Sequence, residues 1–250
     1  MSATDPAAPA LGDEAVWHDV ECGAYAADLA VWRELAHEAA GPVLELGCGP
    51  GRVALDLAAN GHRVAGLDTA PALVAALRER ASRRHLSVET YVGDARELEL
   101  GRRFALVCAP MQLIHLLGGI AGRRAMLERA KEHLAPGGAL AIATLAEWVD
   151  PAFEGGPPLP DVREEDGWVY SSQPLDVIAA EGTITLRRLR QLVSPEGALR
   201  EQLDAIELDA LDARTVEAEA SAGGLGLRER IEVPATADHV GSTVLVLEAA

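Results

Sequence analysis

Val43-Leu44-Glu45-Leu46-Gly47-Cys48-Gly49-Pro50-Gly51 begins as an apolar run and ends as a glycine loop. Arg52-Val53-Ala54-Leu55-Asp56-Leu57-Ala58-Ala59-Asn60 follows with helical spacing, and Gly61 closes it. The pattern is a strand, a tight turn and a helix N-terminus. Glycines let backbone approach a ligand where a Cβ would clash. The helix N-terminus offers free N–H groups and a partial positive charge, which suit an anionic group.

The spacing separates two kinds of glycine loop. A dinucleotide fingerprint, Gly-x-Gly-x-x-Gly, would place its third glycine at position 52. Position 52 is Arg, the third glycine comes at Gly51, and an acid, Glu45, precedes the loop. This segment closely resembles the first motif of class I S-adenosylmethionine-dependent methyltransferases. The resemblance implies that the loop lies under the methionine part of the cofactor, with Glu45, Gly47, Cys48, Gly49 and Gly51 in the cofactor site. It also implies an α/β fold, a Rossmann-like doubly wound seven-stranded sheet of order 3-2-1-4-5-7-6 with the seventh strand antiparallel.

The chain's 250 residues suit one α/β domain with a modest insertion. A formal net charge of −17 disfavours a phosphate-tracking surface for nucleic acid and binding to an anionic membrane. The three cysteines, Cys22, Cys48 and Cys108, suggest neither a disulfide framework nor a metal cluster, so a reducing, cytoplasmic location is expected. Residues 1–14 read as a loose, disordered acidic tail rather than a signal peptide, and no apolar run reaches the length of a membrane span. Residues 15–250 are expected to form a single domain, with a lid and inserted antiparallel strands over 146–210.

Residues 15–40 read as helical, on the spacing of Trp32, Leu35, Ala36 and Ala39. In the methyltransferases that the chain resembles, an aromatic residue in this region helps to close the pocket. Tyr25 takes that role by resemblance, or else packs the helix on the sheet. The second strand, His62 to Asp68, ends in an acid 21 residues after Gly47 (68 − 47). A carboxylate at that offset accepts two hydrogen bonds from a ribose diol. Asp68 and the neighbouring Thr69 are both placed in the cofactor site; the alternative is that Asp68 caps the helix opened by Thr69-Ala70-Pro71. The third strand, Leu86 to Val92, runs into Gly93-Asp94-Ala95-Arg96. This strand end resembles the family's adenine site, where the acid accepts from the exocyclic amine and the next N–H donates to the ring.

Phe104 to Pro110 is an apolar fourth strand suited to a central parallel position. Cys108 reads as a core residue, and Ala109 and Met111 complete the cofactor set at the strand end. Neither a Pro-Cys pair nor an Asp/Asn-Pro-Pro-aromatic stretch follows, so the marks of base methylation are absent. His115 stands just beyond, where open α/β sheets bind ligands. It is a candidate general base; the alternative is a histidine hydrogen-bonded within a turn. After a helix from Gly122 to Leu134, Leu-Ala-Pro-Gly-Gly reverses the chain into a fifth strand, Ala139 to Leu145. Glu147 to Gly167 is rich in Pro, Gly and acids and reads as a loop or lid, with Trp148 and Phe153 at its start.

Three antiparallel strands are expected at Trp168–Gln173, Thr183–Val193 and Leu199–Leu208, roofing the pocket or pairing two copies as a homodimer. Arg187, Arg188 and Arg190 either meet a substrate carboxylate or form a solvated edge. A helix over Asp212–Ala222 and strands over Leu225–Val233 and Ser242–Glu248 close the chain, with His239 between the last two.

The expected function is S-adenosylmethionine-dependent methyl transfer to an oxygen or nitrogen of a small-molecule acceptor, with S-adenosylhomocysteine as product. The sulfonium is already activated, so neither a nucleophilic side chain nor a metal is needed. Two alternatives stay open. An NAD(P)-dependent oxidoreductase would share the strand-loop-helix and Asp68, but the loop spacing is wrong, and with Lys131 the only lysine no Tyr-x-x-x-Lys pair exists. A non-catalytic nucleoside-binding module would keep the fold without an acceptor site.

Overall fold

The computed structural model describes residues 13–145, 158–236 and 239–249. In chain order the elements are α1 (Glu14–Cys22), α2 (Leu29–Ala39), β1 (Val43–Leu46), α3 (Arg52–Ala59), β2 (Val64–Asp68), α4 (Pro71–Arg83), β3 (Val88–Val92), β4 (Phe104–Ala109), α5 (Gly119–Glu132), β5 (Leu134–Leu145), β6 (Asp161–Glu165), β7 (Trp168–Ala180), β8 (Thr183–Val193), β9 (Leu199–Asp209), α6 (Ala213–Ala222), β10 (Leu225–Val233) and β11 (Ser242–Ala249). Short 3₁₀ turns follow β3 (Ala95–Glu97) and β4 (Leu113–Leu116).

Two compact units divide the chain. Residues 25–149 and 208–250 form the larger one, built on a seven-stranded sheet of order β3-β2-β1-β4-β5-β11-β10. Strands β1 to β5 pair in parallel, and β11 runs antiparallel to β5 and to β10. This is the 3-2-1-4-5-7-6 order, with β11 seventh and β10 sixth. Central strands are buried on both faces, so β1 is apolar at three of its four positions and all four are buried. Leu44 and Leu46 pack on the face covered by Met126 and Leu127 of α5 and Val216 of α6. Val43 faces the opposite side, with Trp32 of α2, Val53 and Leu57 of α3, and Leu77 of α4. Glu45 shares that side by strand alternation.

The smaller unit comprises residues 1–24 and 150–207, and carries a four-stranded sheet of order β6-β7-β8-β9. Helix α1 packs on it through Trp17 and Val20, against Tyr170 and Leu192. The expected single helix over 15–40 is therefore two, since the chain breaks between Gly23 and Asp28 and α1 belongs with the inserted sheet.

The sheet also has one more strand than expected, β6, and β7 runs on to Ala180. A proline cannot donate to a ladder; the strand passes Pro174 by shifting register between Pro174 and Asp176. Strand β8 is interior, so the arginine run is not a solvated edge. Arg187 pairs with Asp176, Arg188 with Asp161, and Arg190 with Glu21 and Asp204 while covering the Trp17 ring. Residues 1–12 of the expected tail lie outside the described residues, as do Trp148, Phe153 and the start of the expected lid.

Candidate cofactor site at the strand ends

The site rises from the carboxyl ends of β1, β2 and β3. Gly47, Gly49 and Gly51 take φ of +64°, +52° and +99°, the left-handed region where a side chain is strained. At Gly51 a Cβ would also lie 2.3 Å from Leu77 Cδ1. The loop is stitched by Cys48 N–H to the Leu67 carbonyl and Gly51 N–H to the Cys48 carbonyl, both 3.0 Å. Gly47 is exposed while Cys48, Gly49, Pro50 and Gly51 are buried, so the cradle opens at its first glycine. Burial pushes the Cys48 thiol up, as it does that of Cys108; both are inert core thiols.

Asp68 holds this loop. Its Oδ2 accepts from Gly49 N–H at 2.8 Å and its Oδ1 from Ala70 N–H at 2.9 Å. It is not itself the residue capping α4, which is Ala70. A carboxylate has about four acceptor positions, so capacity is left for a ligand. Thr69 beside it is exposed.

Asp94 ends β3 by accepting from Arg96 N–H at 2.8 Å and pairing with the Arg96 guanidinium at 2.6 Å. That ion pair holds its carboxyl below the usual range. Ala95 between them is buried and Gly93 is half-buried. Ala109 is buried at the end of β4. Met111, two residues on, takes φ +56°, a strained turn for a side-chain-bearing residue, out of the strand.

Arg52, which fills the position of a dinucleotide loop's third glycine, is a working part that motif spacing does not reveal. Its guanidinium makes a bidentate pair with Asp28 (2.6 and 2.7 Å), and Asp28 Oδ2 also accepts from Trp32 Nε1 at 2.8 Å. Arg52 Nη1 donates to the Tyr25 carbonyl, and its cation lies 5.1 Å over the Tyr25 ring. Tyr25 is thus buried beside the loop, with its phenol bonded to Ser242; burial first, then Asp28, raises its pKa. His239 stacks on it at 4.8 Å between ring centroids. No sequence signal pointed to His239, because its partner is more than 200 residues away.

Glu45 is the least satisfied group of the site. It is 3% exposed, and its Oε2 has no hydrogen-bond partner among the described residues. Burial drives its pKa from 4.5 to about 8, against the pull of Arg52 and the Ala54 N–H.

His115, the candidate general base, is closed off in this structure. It is 1% exposed. Leu145 N–H donates to Nε2 at 3.3 Å, with the Thr144 hydroxyl at 3.1 Å, so the hydrogen sits on Nδ1 and is donated to the Asp209 carbonyl at 2.9 Å. Burial lowers its pKa further. The neutral ring ties the 3₁₀ turn after β4 to the ends of β5 and β9.

The residues present fit S-adenosylmethionine: a glycine cradle, an orphaned acid beneath it, and carboxylates at the next two strand ends. Residues 43–138 match a protein family described as a methyltransferase domain. The chain is 33% identical, over 117 residues, to a dTDP-3-amino-3,6-dideoxy-alpha-D-glucopyranose N,N-dimethyltransferase of Streptomyces fradiae, covering 47% of this chain and 44% of that protein. It is 28% identical over 103 residues to a ubiquinone biosynthesis O-methyltransferase of Nitrobacter winogradskyi, covering 41% and 38%. The matched regions span less than half the length of these curated relatives. The fold is similar to that of the sugar N-methyltransferase KedS8 from Streptoalloteichus (TM-score 0.75, 21% identity, covering 100% of this chain and 98% of that one).

Proposed function

We propose that this chain, whose residues 43–138 match a methyltransferase-domain family, is an enzyme that moves a methyl group from S-adenosylmethionine to a nitrogen or oxygen of a small molecule. The observation that supports the reading is the coupling of loop and acid: Asp68 at the end of β2 holds Gly49 of the cradle. When bound, S-adenosylmethionine supplies an activated methyl carbon. The chain's own task is to bind, align and exclude water. Gly47 to Gly51 admit the ligand close to backbone. Asp68 would accept from the ribose hydroxyls with its remaining lone pairs. Asp94 and the Ala95 N–H at the end of β3 would hold the adenine, and Tyr25, against Arg52 and His239, would close the side.

The state of His115 favours an amine acceptor. An amine attacks with its own lone pair, whereas a hydroxyl must pass a proton to a base, and His115 has both ring nitrogens engaged. The amino-sugar N-methyltransferase among the relatives makes an amino sugar the acceptor to test first. His115→Gln is expected to lower stability by about 2 kcal/mol, through buried hydrogen bonds left unmade, and to leave the pH profile of turnover unmoved. Urea unfolding and a pH–rate series check this. A lost ionisation near neutral pH with stability unchanged would restore His115 as the base.

The free cysteines accord with a cytoplasmic location. Among the described residues no helix is long and apolar enough to cross a membrane. The same reading includes pairing of two copies through the inserted sheet, where Leu199 and Leu203 are exposed.

Calorimetric binding of S-adenosylmethionine and S-adenosylhomocysteine, with NAD as control, tests the cofactor. Both sulfur nucleosides are expected to bind the wild type, and Asp68→Ala to weaken them by about tenfold or more, the worth of a hydrogen bond to a charged group. No binding by folded protein would sink the proposal, and NAD binding would favour the oxidoreductase.

A further inference from the structure

We infer that Glu45 exchanges a proton with the medium each time the cofactor binds: it is neutral in the free protein and ionises when the cofactor's cationic amino group arrives. The inference rests on the cofactor reading above and goes beyond it, from what binds to what binding does to the protein's charge.

The geometry leaves Glu45 without a compensating charge of its own. Its strand partners are Gly66 on β2 and Cys108 on β4, one with no side chain and the other an uncharged thiol. From α3, the Ala54 N–H meets its carboxyl, while Oε2 has no hydrogen-bond partner among the described residues. Arg52, at the start of α3, is the cation that acts on it most among the described residues, but both arms of that guanidinium are committed to Asp28 ahead of α2. The Arg52–Asp28 pair is neutral as a unit. Asp68 on β2 adds a second repelling carboxylate, and the Cys48 thiol of the loop is neutral. A buried acid so surrounded, with a pKa of about 8, holds its proton at neutral pH.

Glu45 also sits two residues before Gly47, where the cradle opens. The amino-acid part of the cofactor carries an ammonium group. An opposite charge brought to a buried carboxyl lowers its pKa by units. The carboxyl then sheds its proton to solvent and keeps the ammonium as its partner, which satisfies the orphaned oxygen. The complex binds one proton fewer than the separate partners, so affinity must rise with pH until the free protein's Glu45 itself ionises.

The test is calorimetry on the full chain at pH 6.5, in buffers of differing ionisation enthalpy, with S-adenosylhomocysteine and with 5′-methylthioadenosine, which lacks the amino-acid part. The expected result is release of about one proton with S-adenosylhomocysteine, and about tenfold tighter binding from pH 6 to 7, where an α-amino group stays largely charged. Neither effect is expected with 5′-methylthioadenosine, and Glu45→Gln should remove both. Should the variant fail to fold, the comparison of the two ligands on the wild type decides alone. Binding of S-adenosylhomocysteine without proton release would overturn the inference and leave the cofactor reading standing. Failure of folded wild-type protein to bind it at all would overturn both.

Discussion

Arg52→Met is expected to lower the unfolding free energy by about 3–5 kcal/mol, the loss found when one partner of a buried ion pair is removed. Asp28 is 2% exposed, and the substitution leaves it with the Trp32 indole N–H as its remaining named side-chain donor. The loss extends beyond one pair. Arg52 also donates to the Tyr25 carbonyl and covers the Tyr25 ring, so the chain ahead of α2 loses its tie to the start of α3. Weaker S-adenosylhomocysteine binding should accompany the lower stability. Adding Asp28→Asn to Arg52→Met removes the stranded charge and keeps an acceptor for Trp32. The double variant should therefore unfold at higher urea than Arg52→Met alone. A single variant within 1 kcal/mol of wild type (about the worth of an exposed pair) would show that Arg52 is not a structural part of the loop.

That pairing marks where sequence reading stops. The central strands were legible as elements because parallel strands are continuous apolar runs with loop chemistry at their carboxyl ends, while their order came from the family resemblance and not from the pattern. Gly47, Gly49, Gly51 and Asp68 were legible because glycine spacing and acid offset are local, or nearly so. Arg52 was visible as a departure from the dinucleotide pattern, but its partner Asp28 lies 24 residues back, in a stretch whose apolar spacing reads as one helix. His115 shows the opposite failure. Its position after β4 advertises a titratable group at a ligand site. The groups that disarm it are at Thr144, Leu145 and Asp209, up to 94 residues later. The Asp94–Arg96 pair is close in sequence, yet a Gly-Asp-Ala turn is common enough that spacing does not reveal whether the acid is already engaged. The inserted sheet was legible as strands but not in extent, since Pro174 ends the pattern in sequence and a register shift carries the strand past it.

Glu45→Gln should stabilise the ligand-free protein, and by an amount that grows with pH. Glu45 has a folded-state pKa of about 8 against 4.5 in a solvated reference. Below pH 4.5 the group is neutral in both states and contributes nothing to the difference. Between 4.5 and about 8 the unfolded chain gives up the proton while the folded chain keeps it. The folded state then binds more protons, and stability falls as pH rises, by up to about 1.4 kcal/mol per unit. Above the folded pKa the penalty levels off. Glutamine has the shape of the protonated acid and no charge to lose, so it escapes this penalty. The stability gain of Glu45→Gln over wild type should therefore be larger at pH 8.5 than at pH 5.5 by about 3 kcal/mol. Urea unfolding of both proteins at the two pH values measures it, and taking the difference between proteins cancels every other titrating group. Parallel stability curves would mean that the carboxyl finds a partner in solution and carries no stored penalty. A diverging pair would show that the protein keeps an unsatisfied acid under its glycine loop at the expense of its own stability, a cost that a cationic ligand removes on binding.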